Sequence, residues 1–303
     1  MAEGIFVAVG DSFTWGQGLY YYDWIKNSKL SAKEIKDFLL SDLKGSHYQW
    51  VNIRHKITNR DLESIKSLRY IDLISKELDM DYITKEANGG SNFENIYLLG
   101  ITILLQMDVD PNHPGYRAWG PPSWWPDKSA NSLDPFGEGA ERPDFRLQND
   151  KLLNREISFV ILQLTHIGRD LPPEIERVGD WDYENEYKEL MHNTIEEVKK
   201  LSKLCKELNV KLLVWSYSSD LAYFLHKEPY FVKIPYTDKE YNSYEDMVSI
   251  YPELCLGREN KGEKVFEVQG DLGHYGVTDE HPSKHFHKLI SEVLLNRLKK
   301  DNE

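Results

Sequence analysis

A serine and a distant histidine are the residues in this chain whose types and positions suit chemistry. Ser12 follows a short apolar run, residues 5–9, through Gly10 and Asp11, near the start of the 303-residue sequence. A strand that ends in a turn and a serine presents the hydroxyl at the carboxyl edge of a sheet, where open α/β folds bind ligands. A serine hydroxyl becomes a nucleophile when a base removes its proton, and a histidine held by a carboxylate is the common base.

Two acid–histidine pairs near the other end of the chain are candidates for that base. Asp279 and His281 precede a proline and an amphipathic helix predicted at 283–298. Asp271 and His274 form the second pair, and neither a proline nor a helix follows them. The junction before the terminal helix can meet the first strand at one sheet edge, so Asp279 and His281 are the favoured pair.

The ordered blocks of the chain resemble those of the SGNH (GDSL-type) hydrolases. Gly-Asp-Ser ending at Ser12 resembles the first block, and Asn-Gly-Gly-Ser-Asn at 88–92 resembles the second. The resemblance implies that Ser12, His281 and Asp279 form a catalytic triad, and that amides of Ser12 and Gly90 form an oxyanion hole. It also implies a carboxylic ester hydrolase that requires neither a cofactor nor a metal.

The last block of the chain departs from the usual family spacing. The family has Asp-x-x-His there, whereas a single residue separates Asp279 from His281. Asp-x-His-Pro occurs among divergent relatives, and the helix that follows fits the family pattern. Asp271 and His274 have the usual spacing and remain the alternative.

The third block lacks the asparagine that completes the family's oxyanion hole. After the strand at 157–164 the chain reads Thr-His-Ile-Gly-Arg-Asp. Each donor of such a hole contributes about 3–4 kcal/mol of transition-state stabilisation. Thr165, His166, Arg169 and Asn92 are the candidates for a third donor.

A hypothesis of another class is a structural or binding module that retains the fold with a degenerate site. The missing asparagine favours it, and the pair Ser12 and His281 opposes it. A resemblance to bacteriophage-encoded members of the family implies that such a module, or the esterase itself, is a virion component.

The order of elements predicts one α/β domain over residues 1–303. Strands are predicted at 5–9, 82–86, 157–164 and 211–215, and amphipathic helices at about 61–79, 91–106, 187–208 and 283–298. Alternation of this kind indicates a three-layer α/β/α sandwich with a parallel, flavodoxin-like sheet. Three aromatic or irregular stretches interrupt it as insertions, at about 20–60, 108–150 and 218–270.

A tryptophan cluster and a histidine pair are also considered as candidate sites. Trp119, Trp124 and Trp125 in the second insertion have the composition of a sugar-stacking platform, so an O-acyl group on a carbohydrate is a candidate substrate. Packing of the insertion onto its domain explains the same residues. His285 and His287 point to different helix faces, so we expect a solvated helix surface there and no metal site.

The net charge and the hydropathy of the chain limit the classes of partner that it is expected to bind. Fifty acidic residues outnumber 37 basic ones and give a net charge of −13, which argues against a nucleic-acid partner. No apolar run approaches the roughly 18 residues of a membrane span. The first strand begins almost at the initiating methionine, so we expect no signal peptide and synthesis in the cytoplasm. A small-molecule or carbohydrate ester is the expected partner, with a homo-oligomer or a virion assembly left open.

Overall fold

The order of helices and strands is that of an alternating α/β protein. The structure is a computed structural model that describes residues 4–41, 64–84, 91–107, 155–170, 183–261 and 266–300. In the first half of the chain the elements are β1 (Ile5–Val9), α1 (Ser12–Trp15), α2 (Tyr20–Asn27), α3 (Ala32–Leu40), α4 (Tyr70–Leu78), β2 (Asp81–Thr84) and α5 (Asn92–Gln106). In the second half they are β3 (Ile157–Leu164), α6 (Tyr183–Glu207), β4 (Lys211–Ser216), α7 (Ser219–Leu225), β5 (Ile234–Tyr236), β6 (Lys239–Tyr241), α8 (Tyr244–Val248), β7 (Arg258–Lys261), β8 (Phe266–Gln269) and α9 (Lys284–Lys300).

A four-stranded parallel sheet with the order β2-β1-β3-β4 forms the centre of the fold. The strand β3 is a continuous run of mostly β-branched and leucine residues, which suits a strand buried on both faces. Helices cover both faces of the sheet, so the predicted α/β sandwich and parallel sheet are confirmed. Strand order 2-1-3-4 is also that of flavodoxin-like sheets.

Alternation along β1 divides the core into two layers. Ile5, Val7 and Val9 pack with α5 and α6 on one face, while Phe6 and Ala8 pack with α4 and α9 on the other. All five side chains are fully buried. The amino-terminal strand is therefore central to the fold, and the residues that follow it are held firmly.

The helix predicted at about 61–79 is interrupted. Residues 64–66 are helical, the chain turns at 67–69, and a second helix begins at Tyr70. Arg69 has extended backbone angles, and its buried guanidinium bonds Asp72 and the hydroxyl of Tyr82. Helical periodicity did not reveal the interruption, because it depends on a tertiary contact to β2.

The third predicted insertion contains two small antiparallel hairpins. Strands β5 and β6 form one, and β7 and β8 form the other. The middle insertion, with its tryptophans, lies outside the described residues. Within the described ranges no helix is long and apolar enough to cross a membrane.

Candidate active site

The candidate site lies at the carboxyl edge of the sheet. Strand β1 pairs with β2 on one side and with β3 on the other, so the chain changes direction across the sheet between β1 and β3. Crevices at such switch points are where open α/β folds bind ligands. Ser12 follows β1, and Thr165 follows β3, at the two sides of this crevice.

A capped short helix holds Ser12. The carboxylate of Asp11 accepts a hydrogen bond of 2.9 Å from the amide of Phe13 and so caps α1. The helix ends at Gly16, whose φ of 85° favours glycine. Ser12 is buried at the start of this turn. Asp11 therefore orients the turn that carries Ser12.

His281 and Asp279 complete a hydrogen-bonded chain that begins at Ser12. The Oγ of Ser12 lies 2.8 Å from Nε2 of His281, and Nδ1 of His281 lies 2.5 Å from Oδ1 of Asp279. With Nδ1 donating to the carboxylate, Nε2 has its lone pair free to accept the proton of the serine. This is the arrangement by which a histidine activates a serine hydroxyl.

The short spacing between Asp279 and His281 has a local explanation. Oδ1 of Asp279 accepts a second hydrogen bond, of 3.1 Å, from the backbone amide of His281. An aspartate that bonds the amide two residues ahead forms an Asx turn. The turn brings the imidazole back over its own carboxylate, so a separation of one residue suffices.

Charge raises the basicity of His281. Burial lowers the pKa of the imidazole, but the carboxylate of Asp279, and to a smaller extent that of Asp11, outweighs burial and leaves the pKa above its ordinary value. Asp279 is almost fully buried, whereas 19% of the His281 side chain is exposed. The buried carboxylate therefore favours the protonated, imidazolium form of His281.

A close backbone contact at Gly257 holds the turn at Asp279 and His281 in place. The amide of Gly257 donates to the carbonyl of Asp279 at 3.0 Å, and a Cβ on Gly257 would lie 1.7 Å from the carbonyl oxygen of Val277. Backbone atoms cannot move away from such a clash as a side chain can. We expect Gly257→Ala to lower the free energy of unfolding in urea by about 3 kcal/mol.

Gly168→Ala is the control for that variant. There a Cβ meets only the imidazole of His166, at 2.9 Å, and this ring is exposed and can turn. The expected loss is about 0.5 kcal/mol or less. Equal losses in the two alanine variants would contradict the assignment of Gly257 as a packing constraint.

A buried polar network joins the ends of β1 and β3 to the start of α5. Thr165 Oγ1 donates to Asp11 Oδ2 at 2.6 Å, and Thr165 N donates to Asn92 Oδ1 at 2.8 Å. The amide group of Asn92 donates in turn to the carbonyl of Thr165 at 3.3 Å and to Asp170 Oδ2 at 2.7 Å. Burial raises the pKa of Asp170 to about 6.

This network changes the roles of two predicted oxyanion donors. The hydroxyl and amide hydrogens of Thr165 are engaged, and so are both hydrogens of the Asn92 amide. Neither residue has a hydrogen left for a substrate oxyanion, so the geometry assigns them to positioning the loop after β3.

Gly90 and the three tryptophans, Trp119, Trp124 and Trp125, lie outside the described residues. Their predicted roles stay predictions.

The cleft lined by Asp11, Phe13 and His281, the neighbours of Ser12, has a volume of about 510 Å³. Its wall carries the carboxylates Asp11, Glu259, Asp279 and Glu280, together with Arg169 and the aromatic rings of Phe13 and Tyr217. The rings of Phe13 and Tyr217 meet edge to face with centroids 4.8 Å apart. The volume suits a small ester or one end of a larger one.

No protein-family model, no curated protein and no solved structure matches this chain. The chemistry of the site therefore rests on its own geometry.

The alternative pair is placed away from Ser12. His274 is exposed and packs on Tyr275, while Asp271 accepts hydrogen bonds from Tyr22 and His285. The described structure brings Ser12 together with His281 and not with His274.

The expectation of a solvated surface at His285 and His287 is wrong for His287. His285 is exposed, but His287 is almost fully buried, with its ring stacked on Tyr70 and its Nδ1 accepting the amide of Tyr70. Burial, with smaller contributions from Arg69 and His281, lowers the pKa of His287 to about 3. In the part of the chain with described coordinates, no cluster of three or more His, Cys, Asp or Glu is arranged to hold a metal.

Tyr217 is a cleft residue that the sequence reasoning missed. It directly follows β4, as Ser12 follows β1 and Thr165 follows β3. Burial, and then the nearby carboxylates of Glu245, Glu280 and Asp11, raise the pKa of its phenol. The carboxyl-edge rule that identified Ser12 was the available signal.

Proposed function

We propose that this chain is a serine esterase of the SGNH type. The single observation that supports the proposal is the continuous hydrogen-bonded chain of Ser12, His281 and Asp279. The three residues have the identities, order and tautomer that nucleophilic acyl transfer requires. His281 and Asp279 line an open cleft, and the Oγ of Ser12 lies 2.8 Å behind the imidazole that borders it.

The proposed reaction has two acyl-transfer steps. The Oγ of Ser12 attacks the ester carbonyl while Nε2 of His281 takes the hydroxyl proton, and a tetrahedral oxyanion forms. The oxyanion collapses, the bond to the alcohol breaks, and the alcohol leaves with the proton from His281. Water then attacks the acyl-serine with His281 again as the base, which releases the acid and restores Ser12.

The substrate is proposed only as an ester. An O-acyl group on a carbohydrate remains a proposal that depends on tryptophans outside the described residues. A catalytically degenerate module, such as a virion component, is the alternative, and the engaged hydrogens of Thr165 and Asn92 favour it. A chemical test of Ser12 separates the two.

Covalent labelling by a fluorophosphonate is the first test. The serine oxygen forms a bond to phosphorus, fluoride leaves, and His281 takes the proton, so labelling requires an activated hydroxyl rather than a matching substrate. We expect one phosphonyl group per chain, located on the peptide that contains Ser12 by mass spectrometry.

The matched variants are Ser12→Ala and Ser28→Ala. The first removes the proposed nucleophile, and we expect no labelling. The second removes a serine outside the site and leaves labelling as in the wild type. Absence of labelling in well-folded wild-type protein contradicts the esterase proposal and favours the binding module.

A further inference from the structure

The electrostatics of the cleft present a difficulty for acyl transfer. Four carboxylates line the cleft, at Asp11, Glu259, Asp279 and Glu280. The tetrahedral intermediate adds another negative charge, on the former carbonyl oxygen. Charge that develops in a transition state needs preorganised donors close to it, and like charges nearby oppose it. A cationic donor in the cleft therefore has a large effect on the rate.

The described residues that line the cleft offer one permanently charged donor. Thr165 has its hydrogens engaged, and Nδ1 of His166 accepts the amide of Gly168, which leaves only its Nε2 to carry a hydrogen. Tyr217 offers an uncharged hydroxyl. Arg169 offers a guanidinium with five N–H donors and a charge opposite to that of the oxyanion.

Arg169 is anchored beside the nucleophile. Its Nη1 lies 3.5 Å from Oδ2 of Asp11, and the other oxygen of that carboxylate holds the amide of Phe13, next to Ser12. The backbone amide of Arg169 donates to the carbonyl of His166 at 3.0 Å, which fixes the turn after β3. The Arg169 side chain is 41% exposed, so part of the guanidinium faces the open cleft.

The charge of Arg169 also reaches the catalytic base. It lowers the pKa of His281, against the larger upward effects of Asp279 and Asp11. The Oγ of Ser12 is 2.8 Å from the imidazole, so the same charge contributes to the field at this oxygen. The guanidinium thus lies in the wall of the cleft that also contains the imidazole of His281.

We infer that Arg169 is a further catalytic residue, whose guanidinium donates to the oxyanion of the tetrahedral intermediate. The inference rests on the proposed esterase function. The donor acts as the carbonyl oxygen gains negative charge, and it releases that oxygen when the carbonyl re-forms. Because the interaction strengthens in the transition state, its loss lowers kcat much more than it raises KM.

The test compares Arg169→Gln with the wild type on 4-nitrophenyl acetate. We expect kcat to fall about 10²-fold with KM within about threefold. The fluorophosphonate labelling rate of Ser12 is expected to fall in parallel, because the phosphonyl oxygen also gains negative charge. Arg169→Lys keeps the charge without the planar fork, so we expect it to recover part of the lost rate.

Lys203→Gln is the control for net charge. It removes one positive charge from an exposed position on α6, away from the cleft, and both rates are expected to stay as in the wild type. Arg169→Ala is made in parallel, so that a folded variant without the guanidinium can be measured even if one of the other substitutions prevents folding. Circular dichroism and thermal unfolding identify the folded variants.

The outcomes separate the two proposals. If wild-type Ser12 is labelled but the folded Arg169 variants keep kcat and the labelling rate within tenfold of the wild type, the role of Arg169 is overturned and the esterase stands. A loss confined to KM overturns it too, because Arg169 then binds the ground state. If wild-type Ser12 is not labelled, the esterase proposal itself fails.

Discussion

Asp279→Asn is expected to lower kcat for an aryl ester by about 10⁴-fold while the protein remains folded. The carboxylate of Asp279 accepts the Nδ1 proton of His281, which leaves Nε2 free to take the proton of Ser12. An asparagine amide that donates to Nδ1 stabilises the other tautomer, in which Nε2 carries the hydrogen. The serine then has no acceptor for its proton.

The pH profile of the same variant gives a second measurement. The proposed mechanism requires the unprotonated imidazole, so we expect kcat/KM of the wild type to rise with pH through the raised pKa of His281. Asp279 is the largest cause that raises this pKa. We therefore expect the residual kcat/KM of Asp279→Asn to rise with pH at a lower pH than that of the wild type.

Asp271→Asn is the matched control for Asp279→Asn. Asp271 is a partly buried aspartate near a histidine, but its partners are Tyr22 and His285 rather than His281. We expect kcat within about threefold of the wild type. A large loss in Asp271→Asn with a small loss in Asp279→Asn would instead support the pair Asp271 and His274.

A buried histidine and a partly buried aspartate are expected to change the stability in opposite directions as the pH falls. The folded-state pKa of His287 is about 3, below its ordinary value of 6.5, so the unfolded chain binds a proton that the folded chain does not. Stability is lost from this cause as pH falls from about 6.5 to 3. The slope approaches about 1.4 kcal/mol per pH unit, because one proton is involved.

Asp170 acts in the opposite direction. Its folded-state pKa is about 6, above its ordinary value of 3.8, so the folded chain holds a proton that the unfolded chain has released. Stability from this cause is present below about pH 3.8 and is lost as pH rises to about 6. Between pH 4 and 6 the contributions of Asp170 and His287 therefore cancel in the wild type.

Single variants separate the two contributions in urea titrations between pH 4 and 6. Asp170→Asn removes the carboxyl group whose pKa is raised. We expect the free energy of unfolding of this variant, relative to the wild type, to fall by about 1.4 kcal/mol for each pH unit of acidification. His287→Asn keeps an acceptor for the amide of Tyr70, and we expect the opposite slope. Each substitution also changes the free energy of unfolding by an amount that does not depend on pH. Comparing the slopes of the free energy against pH removes this constant amount.

Ser291→Ala is the control for these slopes. Ser291 is buried on α9 one turn beyond His287, and the substitution removes no titratable group. Its stability is expected to follow the wild type at every pH. Parallel pH profiles in all the variants would contradict the opposed roles of His287 and Asp170.

Local sequence patterns were sufficient for most of the fold. The apolar runs at 5–9 and 157–164 predict strands at the observed bounds, since side chains buried on both faces leave a continuous hydrophobic signal. The β-strand at 211–215 extends by one residue to Ser216. The predicted second strand, 82–86, is observed as Asp81–Thr84 within the described residues.

The contacts that complete the site are not local. Asn92 and Thr165 are 73 residues apart, and Tyr70 and His287 are 217 apart. Hydrophobic periodicity describes one element at a time, so it did not reveal that Thr165 and Asn92 use their hydrogens on each other, or that the ring of His287 turns inward. Strand ends at a common edge also bring Tyr217 and Arg169 to the cleft.

The sequence by itself determined the parallel α/β architecture and the residue types at the two ends of the candidate triad. Both depend on short segments of the sequence. Examples are the strand that is followed by Gly-Asp-Ser, and the acid and histidine that precede the terminal helix. Tertiary structure alone decided which histidine meets Ser12 and which donors remain free. Those outcomes depend on distances between atoms up to 269 residues apart, which are set by the packing of the sheet and its helices.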